Sequence, residues 1–170
     1  AYRGKIEWLR STLRHIYNPA YTDYLRKGTS YYAIGGAMAI RKDVFQKTGF
    51  FDEKYFLYFE DADFSVRAWE AGFDIFIAEN LNVHHHVSSS TKKLGSPLLL
   101  RYHYRNALYF NLKNGPWYIK LAVWPWSWFI AIKQLIKIII NQNIEESKAI
   151  LAGVIDFYKN EFSYLNIFGF

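Results

Sequence analysis

The spacing of apolar residues predicts an amphipathic helix at the start of the chain. Between residues 2 and 17, apolar side chains recur at intervals of three and four residues: Ile6, Leu9, Leu13 and Ile16. Such spacing places them on one face of a helix, with charged residues on the other faces. We expect Asn18–Pro19 to end this helix, because a residue that precedes proline avoids the helical conformation.

Short apolar runs follow in the middle of the chain. Residues 31–41 predict a strand region, and its apolar core at 34–40 begins with two glycines, which allow a ligand to approach the backbone closely. Residues 41–47 then predict a short helix that is stopped by Gly49.

A second helix is indicated by the spacing of Phe64, Ala68 and Ala71. It is expected to run for about ten residues and to stop at Gly72, since glycine is favoured just beyond the last turn. The apolar run at 73–78 that follows predicts a buried strand.

The last third of the chain is predicted to be helical. Residues 97–113 predict one helix, Gly115–Pro116 interrupts the pattern, and residues 150–157 predict a last amphipathic helix. Trp117 to Ile140 is the most hydrophobic part, but its uncharged stretch covers only twelve residues and is interrupted by Pro125. A membrane span needs about 20 residues.

The polar residues of this hydrophobic segment share one narrow face: Lys133, Gln134, Lys137 and Asn141. Together with tryptophans near the start of the segment, that pattern predicts an interfacial helix lying on a bilayer. The alternative is a helix of the protein core or of a dimer interface.

Composition limits the class of protein. The 170 residues are 51% hydrophobic and 20% aromatic, which is enough for a buried core and makes one domain the default expectation. The absence of cysteine excludes disulfides and thiolate metal sites and fits a reducing compartment. No charged segment followed by a short apolar one opens the chain, so we expect no signal peptide.

Charge is distributed unevenly. Residues 43–79 contain nine acidic and three basic residues, whereas residues 80–144 contain eight basic residues and no acidic one. A basic segment of this kind favours anionic partners, with nucleic acid, diphosphate groups and anionic lipids as the candidates.

Three carboxylates cluster at the start of the second predicted helix: Glu60, Asp61 and Asp63. Negative charge is stabilised at a helix N-terminus, so capping alone is one explanation. Asp63 and Arg67 are four residues apart and are expected to pair on one face of the helix. Glu60 and Asp61 are then expected to point out of the turn, where they could act on a ligand.

The adjacent histidines 84–86 are a second candidate site. Successive side chains of a strand point to opposite faces, so at most one or two of the three could bind the same metal ion. A core or surface histidine without any ligand remains the alternative. The following loop, residues 88–93, is rich in serine and lysine and is either a phosphate-contacting loop or an ordinary solvated one.

The order of these motifs resembles the C-terminal half of the catalytic domain in family 2 glycosyltransferases of the GT-A fold, especially the rhamnosyltransferase-like members. The matching elements are Gly36–Ala37, Arg41 with Val44–Phe45, Gly49 to Asp52, Glu60–Asp61–Ala62–Asp63, Arg67, Ala71–Gly72, His85 with Ser88 to Ser90, and Tyr102 with Arg105–Asn106. Each element alone is weak, but the ordered series from Gly36 to Ser90 covers about 55 residues, and looser matches, which include Tyr102 with Arg105–Asn106, continue to about residue 160.

The resemblance implies a fold and an activity. The fold is α/β, a partial GT-A domain with a mixed sheet at 1–114, followed by C-terminal amphipathic helices at 115–170 that associate with membranes. The half that binds the nucleotide, with its Asp-x-Asp motif, would precede the chain, so a fragment inactive on its own is expected. The activity is inverting transfer from a nucleotide-sugar donor to a saccharide or lipid-linked saccharide acceptor.

The resemblance also implies roles for residues. Asp61 would be the catalytic base, and Glu60 would orient it or bind an acceptor hydroxyl. Substrate would be contacted by Gly35, Gly36, Ala37, Asp63 and Arg105. His85 would be a ligand to a divalent cation, Mn²⁺ or Mg²⁺, although a shift of one residue in the alignment would select His84 or His86 instead.

Two other classes of function are considered. A non-catalytic module that associates with a membrane surface would explain the tryptophan-rich helix but would leave Glu60 and Asp61 unused. A nucleic-acid-binding protein would explain the basic aromatic segment, but the acid-rich half and the apolar helix argue against it. We therefore expect no nucleic-acid partner and a peripheral protein at the cytoplasmic face of the membrane.

Overall fold

A computed structural model of the chain describes residues 3–17, 30–76, 78, 83 and 96–165, with side chains described as far as residue 159. The chain divides into two compact units, Ala1–Val87 and Ser88–Phe170. The predictions made for histidines 84–86 and for the loop at residues 88–93 lie outside the described residues.

A three-stranded antiparallel sheet opens the first unit. Strand β1 spans Arg3–Glu7, β2 spans Thr12–Ile16 and β3 spans Tyr31–Tyr32. The strand order is β2-β1-β3, so β1 is the central strand and pairs with both neighbours. Among the described residues the sheet is therefore antiparallel, whereas a mixed sheet was predicted.

The predicted N-terminal helix is wrong, since residues 3–16 form a hairpin. Ile6 and Leu13, whose spacing suggested one helical face, are instead direct cross-strand partners. Leu9 lies in the 3-10 turn Trp8–Arg10 that joins the strands and is 80% exposed. Ser11 ends that turn in the left-handed conformation, which breaks the helical path in the middle of the predicted helix.

Two helices complete the first unit. Helix α1 spans Lys42–Thr48 and ends at Gly49, and helix α2 spans Glu60–Glu70 and is followed by Gly72 in a positive-φ conformation. Both helices confirm the predictions from sequence. They meet through a small apolar cluster of Val44, Phe64 and Ala68, against which Phe73 packs.

The two strands predicted to flank these helices do not form as predicted. Within 34–40, Gly35–Ala37 is a short 3-10 turn, and only β3 at Tyr31–Tyr32 is a strand. After α2, Phe73 and Ile75 are half-buried whereas Asp74 and Phe76 are exposed, and Ile75 alone makes a β-bridge. Only one face of this segment packs on the core, so its apolar run does not become a buried strand among the described residues.

The second unit is a bundle of three long helices. Helix α3 spans Ser96–Asn114, α4 spans Trp117–Ile139 and α5 spans Ile144–Leu165. Gly115 and Pro116 separate α3 from α4, as predicted, and a short connection with Asn141 and Asn143 in the left-handed conformation leads into α5. The described bundle thus follows the predicted helical pattern.

Buried aliphatic and aromatic residues from all three helices form the core of this bundle: Leu108, Val123, Ile130, Ile150, Val154 and Phe157. Helix α4 continues through Pro125, which was predicted to interrupt it. Proline removes one backbone hydrogen bond from a helix interior, and the packing of α4 along its length compensates for that loss. No helix among the described residues is both long enough and apolar enough to span a membrane.

A small sheet with helices, followed by a helical bundle, is compatible with the predicted α/β class. The predicted boundary at residue 114 falls between α3 and α4, whereas the two compact units meet at residues 87 and 88. The predicted boundary divides the chain by function rather than by compactness, and it stays a prediction.

Candidate active site

The start of α2 brings the predicted acidic cluster together in the first unit. Glu60, Asp61 and Asp63 all lie in the first turn of the helix. The N-terminal end of a helix carries partial positive charge, which favours carboxylates there. The three side chains nevertheless have different surroundings, and those differences separate their chemical roles.

Asp61 is turned inward and binds the glycine-rich turn. Its Oδ2 accepts a hydrogen bond of 2.9 Å from the Gly35 N–H, and its Oδ1 accepts one of 2.8 Å from the Ala62 N–H. Burial raises the pKa of Asp61, and these backbone donors together with the charge of His15 on β2 oppose that rise. The carboxylate is therefore fixed in place while its affinity for a proton stays above the ordinary value.

The absence of a side chain at Gly35 makes this contact possible. A Cβ at that position would lie 3.2 Å from the Asp61 Cβ, which is tighter than most contacts of this kind. The sequence predicted that the glycines allow a ligand to approach the backbone, and the structure shows a side chain of α2 making that approach. Gly35, Gly36 and Ala37 themselves remain exposed, so their other side is open to a ligand.

A second link joins β3 to α2 beside Asp61. The Ser65 Oγ accepts a hydrogen bond of 3.1 Å from the Ala33 N–H and donates one of 2.8 Å to the Asp61 carbonyl oxygen. The segment that carries Gly35 is therefore held to the helix at two points. This double connection fixes the glycine turn relative to the Asp61 carboxylate.

Glu60 and Tyr32 border the same carboxylate. The Glu60 Oε2 is buried and has no hydrogen-bond partner among the residues that the structure describes. Burial raises the pKa of Glu60, and the neighbouring charge of Asp61 adds to the rise. Burial and the charges of both acids raise the pKa of Tyr32, so its hydroxyl stays protonated beside them. A buried acceptor oxygen without a partner is unusual in a folded protein, which makes Glu60 a candidate for contact with a ligand.

Tyr32 depends on a glycine in the neighbouring strand. Gly4 on β1 is paired with Tyr32 on β3, and a Cβ at Gly4 would overlap the tyrosine ring. The ring is 1% exposed. This packing directs the ring towards α2, where its hydroxyl meets the acidic cluster.

Asp63 differs from its two neighbours because it is completely buried and paired. Arg67 donates from Nε to the Asp63 Oδ2 at 2.8 Å, which confirms the predicted pair, and the Tyr55 hydroxyl donates to Oδ1 at 3.2 Å. Asp63 was predicted to contact substrate. A carboxylate with no exposed surface instead holds the surrounding backbone in position.

Arg67 extends this network to the loop before α2. Its guanidinium donates to the Thr48 carbonyl at 2.6 Å and to the Phe50 carbonyl at 3.0 Å. The C-terminal end of α1 and the start of the loop are thereby fixed to α2. An arginine suits this task because its planar group donates in several directions at once.

The loop between α1 and α2 adopts an unusual backbone conformation. Phe56, Tyr58 and Phe59 all have positive φ, at 57°, 66° and 72°. Bulky residues rarely adopt this region, which costs about 1–3 kcal/mol for each residue and is concentrated at functional sites. The loop reaches Glu60 through this conformation, so strain is present directly before the acidic cluster.

The remaining predicted residues lie elsewhere. Arg105 is on α3 in the second unit, where its guanidinium lies 4.7 Å from the centre of the Tyr102 ring and its Nε donates to Asn106 at 2.8 Å. Burial lowers the pKa of Arg105. His85 lies outside the described residues. Among those that are described, no three histidine or acidic side chains converge in a way that could hold a metal ion.

Sequence reasoning missed Tyr32, Ser65 and Tyr55, which surround the acids. Tyr32 was assigned to a strand without a role, and Tyr55 was given no role. Their common signal is a polar group carried by a residue in an otherwise apolar stretch, since such a group must find a partner when it is buried. The partner could not be identified without the fold.

Comparison with known proteins gives a distant match. Over 99 residues, which make up 58% of this chain, the sequence is 26% identical to the N-acetylglucosaminyl-diphospho-decaprenol L-rhamnosyltransferases of two Mycobacterium tuberculosis strains, CDC 1551 / Oshkosh and ATCC 25618 / H37Rv. The match covers 32% of each relative, so the chain spans about a third of their length. This similarity supports a glycosyltransferase family and nothing finer.

No protein-family model matches the chain. No solved structure matches it either.

Proposed function

We propose that this protein is an inverting glycosyltransferase of the GT-A fold that transfers a sugar from a nucleotide-sugar donor to a hydroxyl group of a saccharide acceptor. The observation that carries the proposal is the environment of Asp61. Its carboxylate is held by the Gly35 N–H at the start of α2, next to a buried Glu60 oxygen without a described partner. The distant similarity to two rhamnosyltransferases supports the same class of reaction.

Asp61 is the general base in this proposal. A base must remove the proton of the acceptor hydroxyl while that oxygen attacks the anomeric carbon opposite the leaving nucleoside diphosphate. Burial raises the pKa of Asp61, which brings its proton affinity closer to that needed near neutral pH. The bond from Gly35 fixes one oxygen, so the group is oriented before the acceptor binds.

The residues around Asp61 form the acceptor side of the site. The exposed turn of Gly35, Gly36 and Ala37 contacts the sugar and the acceptor through its backbone in this proposal. The Glu60 Oε2 accepts a hydrogen bond from an acceptor hydroxyl, which removes the cost of leaving that oxygen unpaired. Asp63 and Arg67 act as positioning residues, because they hold the strained loop and the helix that carries the base.

Two further residues are proposed to act on the donor: Arg105, which lies on α3 of the second unit, and His85. Arg105 would bind a phosphate group of the donor, and His85 would be a ligand to a divalent cation, Mn²⁺ or Mg²⁺. When bound, such a cation would supply positive charge to balance the departing diphosphate. Whether His84 or His86 takes the place of His85 is decided by substitution of each histidine in turn.

A lipid-linked saccharide is the proposed acceptor. The two relatives carry names that specify a diphospho-decaprenol acceptor, and the match to them supports an acceptor of that class here. Such an acceptor is anchored in a membrane, so we propose a peripheral enzyme of cell-surface polysaccharide synthesis at the cytoplasmic face. No nucleic-acid partner is proposed.

The second candidate function is a non-catalytic module that associates with a membrane surface. The observation in its favour is the exposed apolar side of α4, which includes Trp117 and Ile139 at 74% and 78% exposure. It leaves the acidic cluster of the first unit without a role, and for that reason we place it second.

The test is an assay of nucleoside diphosphate release, carried out on the complete product of the gene with a panel of nucleotide sugars and Mn²⁺. We expect release with one donor, and a loss of about 10²–10⁴-fold in Asp61→Asn, the usual contribution of a general base. Asp43→Asn is the matched control, because Asp43 is an acid in the first turn of α1 rather than α2. Unchanged release in Asp61→Asn would remove the catalytic assignment, and no release with any donor would favour the membrane module.

A further inference from the structure

One side of α4 is apolar along its whole length and faces solvent. The five residues that face the bundle recur at intervals of three and four: Ile119, Val123, Ser127, Ile130 and Gln134. The opposite side, which we call the outward face, is centred on Trp117, Leu121, Trp128, Ile132 and Ile139, and each of these is more than half exposed. No charged or amide side chain interrupts this row.

This arrangement differs from that of a normal surface helix. An amphipathic helix usually turns its apolar residues towards the core and its charged residues towards water. Here Gln134, which the sequence placed on the solvent face, is 3% exposed, and the Ser127 hydroxyl is hydrogen-bonded to the Tyr158 hydroxyl within the bundle. Two polar residues therefore lie inside the bundle beside three aliphatic ones, and a row of large apolar residues lies outside.

The borders of the outward face are basic. Lys120 lies along one edge and Lys133 along the other, and both are exposed. Helix α4 contains no acidic residue, and none occurs between residues 80 and 144. A partner that covers the outward face therefore contacts apolar side chains at its centre and positive charge along both edges.

We propose that the outward face of α4 is a docking surface for an anionic lipid bilayer, on which the helix lies parallel to the membrane. An apolar face that offers few hydrogen-bonding groups suits hydrocarbon, which supplies no partners for such groups. Tryptophan is favoured at the boundary between headgroups and acyl chains, and lysine at its edge pairs with anionic headgroups. The bundle side of the helix is already packed, so only one side of α4 is available for insertion.

A second copy of the chain fits this face less well. Protein interfaces carry about one hydrogen bond per 100–200 Å², and the outward face supplies very few donors or acceptors. Two copies would also bring Lys120 and Lys133 near their counterparts with no acid on α4 to pair with them. Charge complementarity therefore favours an anionic surface over a dimer.

The test is flotation of the full chain with vesicles of phosphatidylcholine and phosphatidylglycerol, and with vesicles of phosphatidylcholine alone. The double variant Leu121→Glu, Ile132→Glu places two charges in the outward face, and we expect its binding to anionic vesicles to fall about tenfold or more. Leu9→Glu is the control, because Leu9 is as exposed as these residues but lies in the first unit. It should bind like the wild type.

The basic borders are tested separately. Lys120→Gln and Lys133→Gln should each weaken binding to anionic vesicles by about fivefold and leave the weaker binding to neutral vesicles unchanged. Binding to anionic vesicles should also fall as salt is raised. A lysine variant that binds both kinds of vesicle as well as the wild type would show that the borders do not contribute.

Two results would overturn the proposal. One is equal vesicle binding by the wild type and the double variant. The other is a dimer in sedimentation equilibrium, without vesicle binding, that the double variant converts to a monomer; the outward face would then be a protein interface. Asp61→Asn should bind vesicles normally, so this proposal and the proposed function can fail independently.

Discussion

The two units of the chain depart from the usual pattern of a soluble protein in opposite ways. The first unit buries groups that normally face water, since the carboxylates of Glu60, Asp61 and Asp63 lie at the start of a helix with little exposure. The second unit exposes groups that are normally buried, along the outward face of α4. Each departure costs free energy unless it is compensated, so each indicates where a ligand or a surface is expected.

The two units also differ in what offsets this cost in free energy. In the first unit the compensation is specific, because Arg67, Tyr55 and the Gly35 N–H each donate a directed hydrogen bond to the carboxylate of Asp61 or Asp63. In the second unit, regular helix packing holds α4 in place and nothing among the described residues covers its outward face. The stability of the first unit should therefore be sensitive to the loss of single polar groups. The stability of the second unit should be sensitive to changes in side-chain size at packed positions.

The largest expected effect is loss of the buried ion pair of the first unit. Arg67→Met leaves Asp63 charged and buried without its partner, which costs about 3–5 kcal/mol when one member of such a pair is removed. Denaturant unfolding measures the change, and hydrogen exchange should show lost protection in the first unit while α3 and α5 keep theirs. Arg41→Met is the control, because it removes a fully exposed partner of Asp43 and should leave stability unchanged.

If Arg67→Met instead lowered protection equally in both units, the comparison between them would fail. The two units would then unfold as one cooperative body. Mutations could not distinguish the stabilisation by directed hydrogen bonds in the first unit from the stabilisation by helix packing in the second.

A smaller effect of steric origin is expected in the second unit. A Cβ at Gly153 on α5 would overlap the Arg101 carbonyl of α3, so Gly153→Ala should destabilise the bundle by about 1–3 kcal/mol. Helix propensity alone predicts the opposite sign, a gain of about 0.5–1 kcal/mol. Thermal unfolding decides between them, with Lys148→Ala on the exposed side of α5 as a control.

The regular parts of this fold were predictable, and the irregular parts were not. Helices α1, α2 and α3 follow from local spacing and from their glycine stops, which act over a few residues. The N-terminal hairpin was missed because Ile6, Leu9 and Leu13 fit helical spacing equally well, and only the pairing of β1 with β2 decides between the two. Pairing between strands is a non-local interaction, and one sequence does not display it.

The candidate site was predictable in part for the same reason. The position of the acids in the first turn of α2 and the pair of Asp63 with Arg67 depend on helical geometry alone. The bond from Gly35 to Asp61 joins residues 26 positions apart, so its formation depends on the tertiary fold. Sequence therefore identified the acids and their place in the turn, but it did not identify Gly35 as the partner of Asp61.

The smallest expected effect concerns the pH dependence of stability. Burial raises the pKa of Glu60 above its unfolded value, so the folded state binds the proton more tightly and loses stability as pH rises from the unfolded pKa through the folded one. Glu60→Gln removes this loss. It should raise the melting temperature at pH 7, and the gain should disappear below about pH 4, where the unfolded state is protonated as well.

Glu70→Gln, at the exposed C-terminal end of α2, is the control for this experiment and should change little. A gain for Glu60→Gln that stayed the same at low pH would point to a cause other than the ionisation of Glu60.

The account as a whole depends on Asp61 being the base, and the pH dependence of kcat/KM for sugar transfer tests this most directly. A base must be ionised, so activity should fall as pH is lowered through the pKa of Asp61, which burial places above the ordinary value of 3.8. We predict an acid limb at a pH above that value, and its loss, together with most of the activity, in Asp61→Asn. An acid limb of the same position and slope in Asp61→Asn, with the rate preserved, would contradict the account.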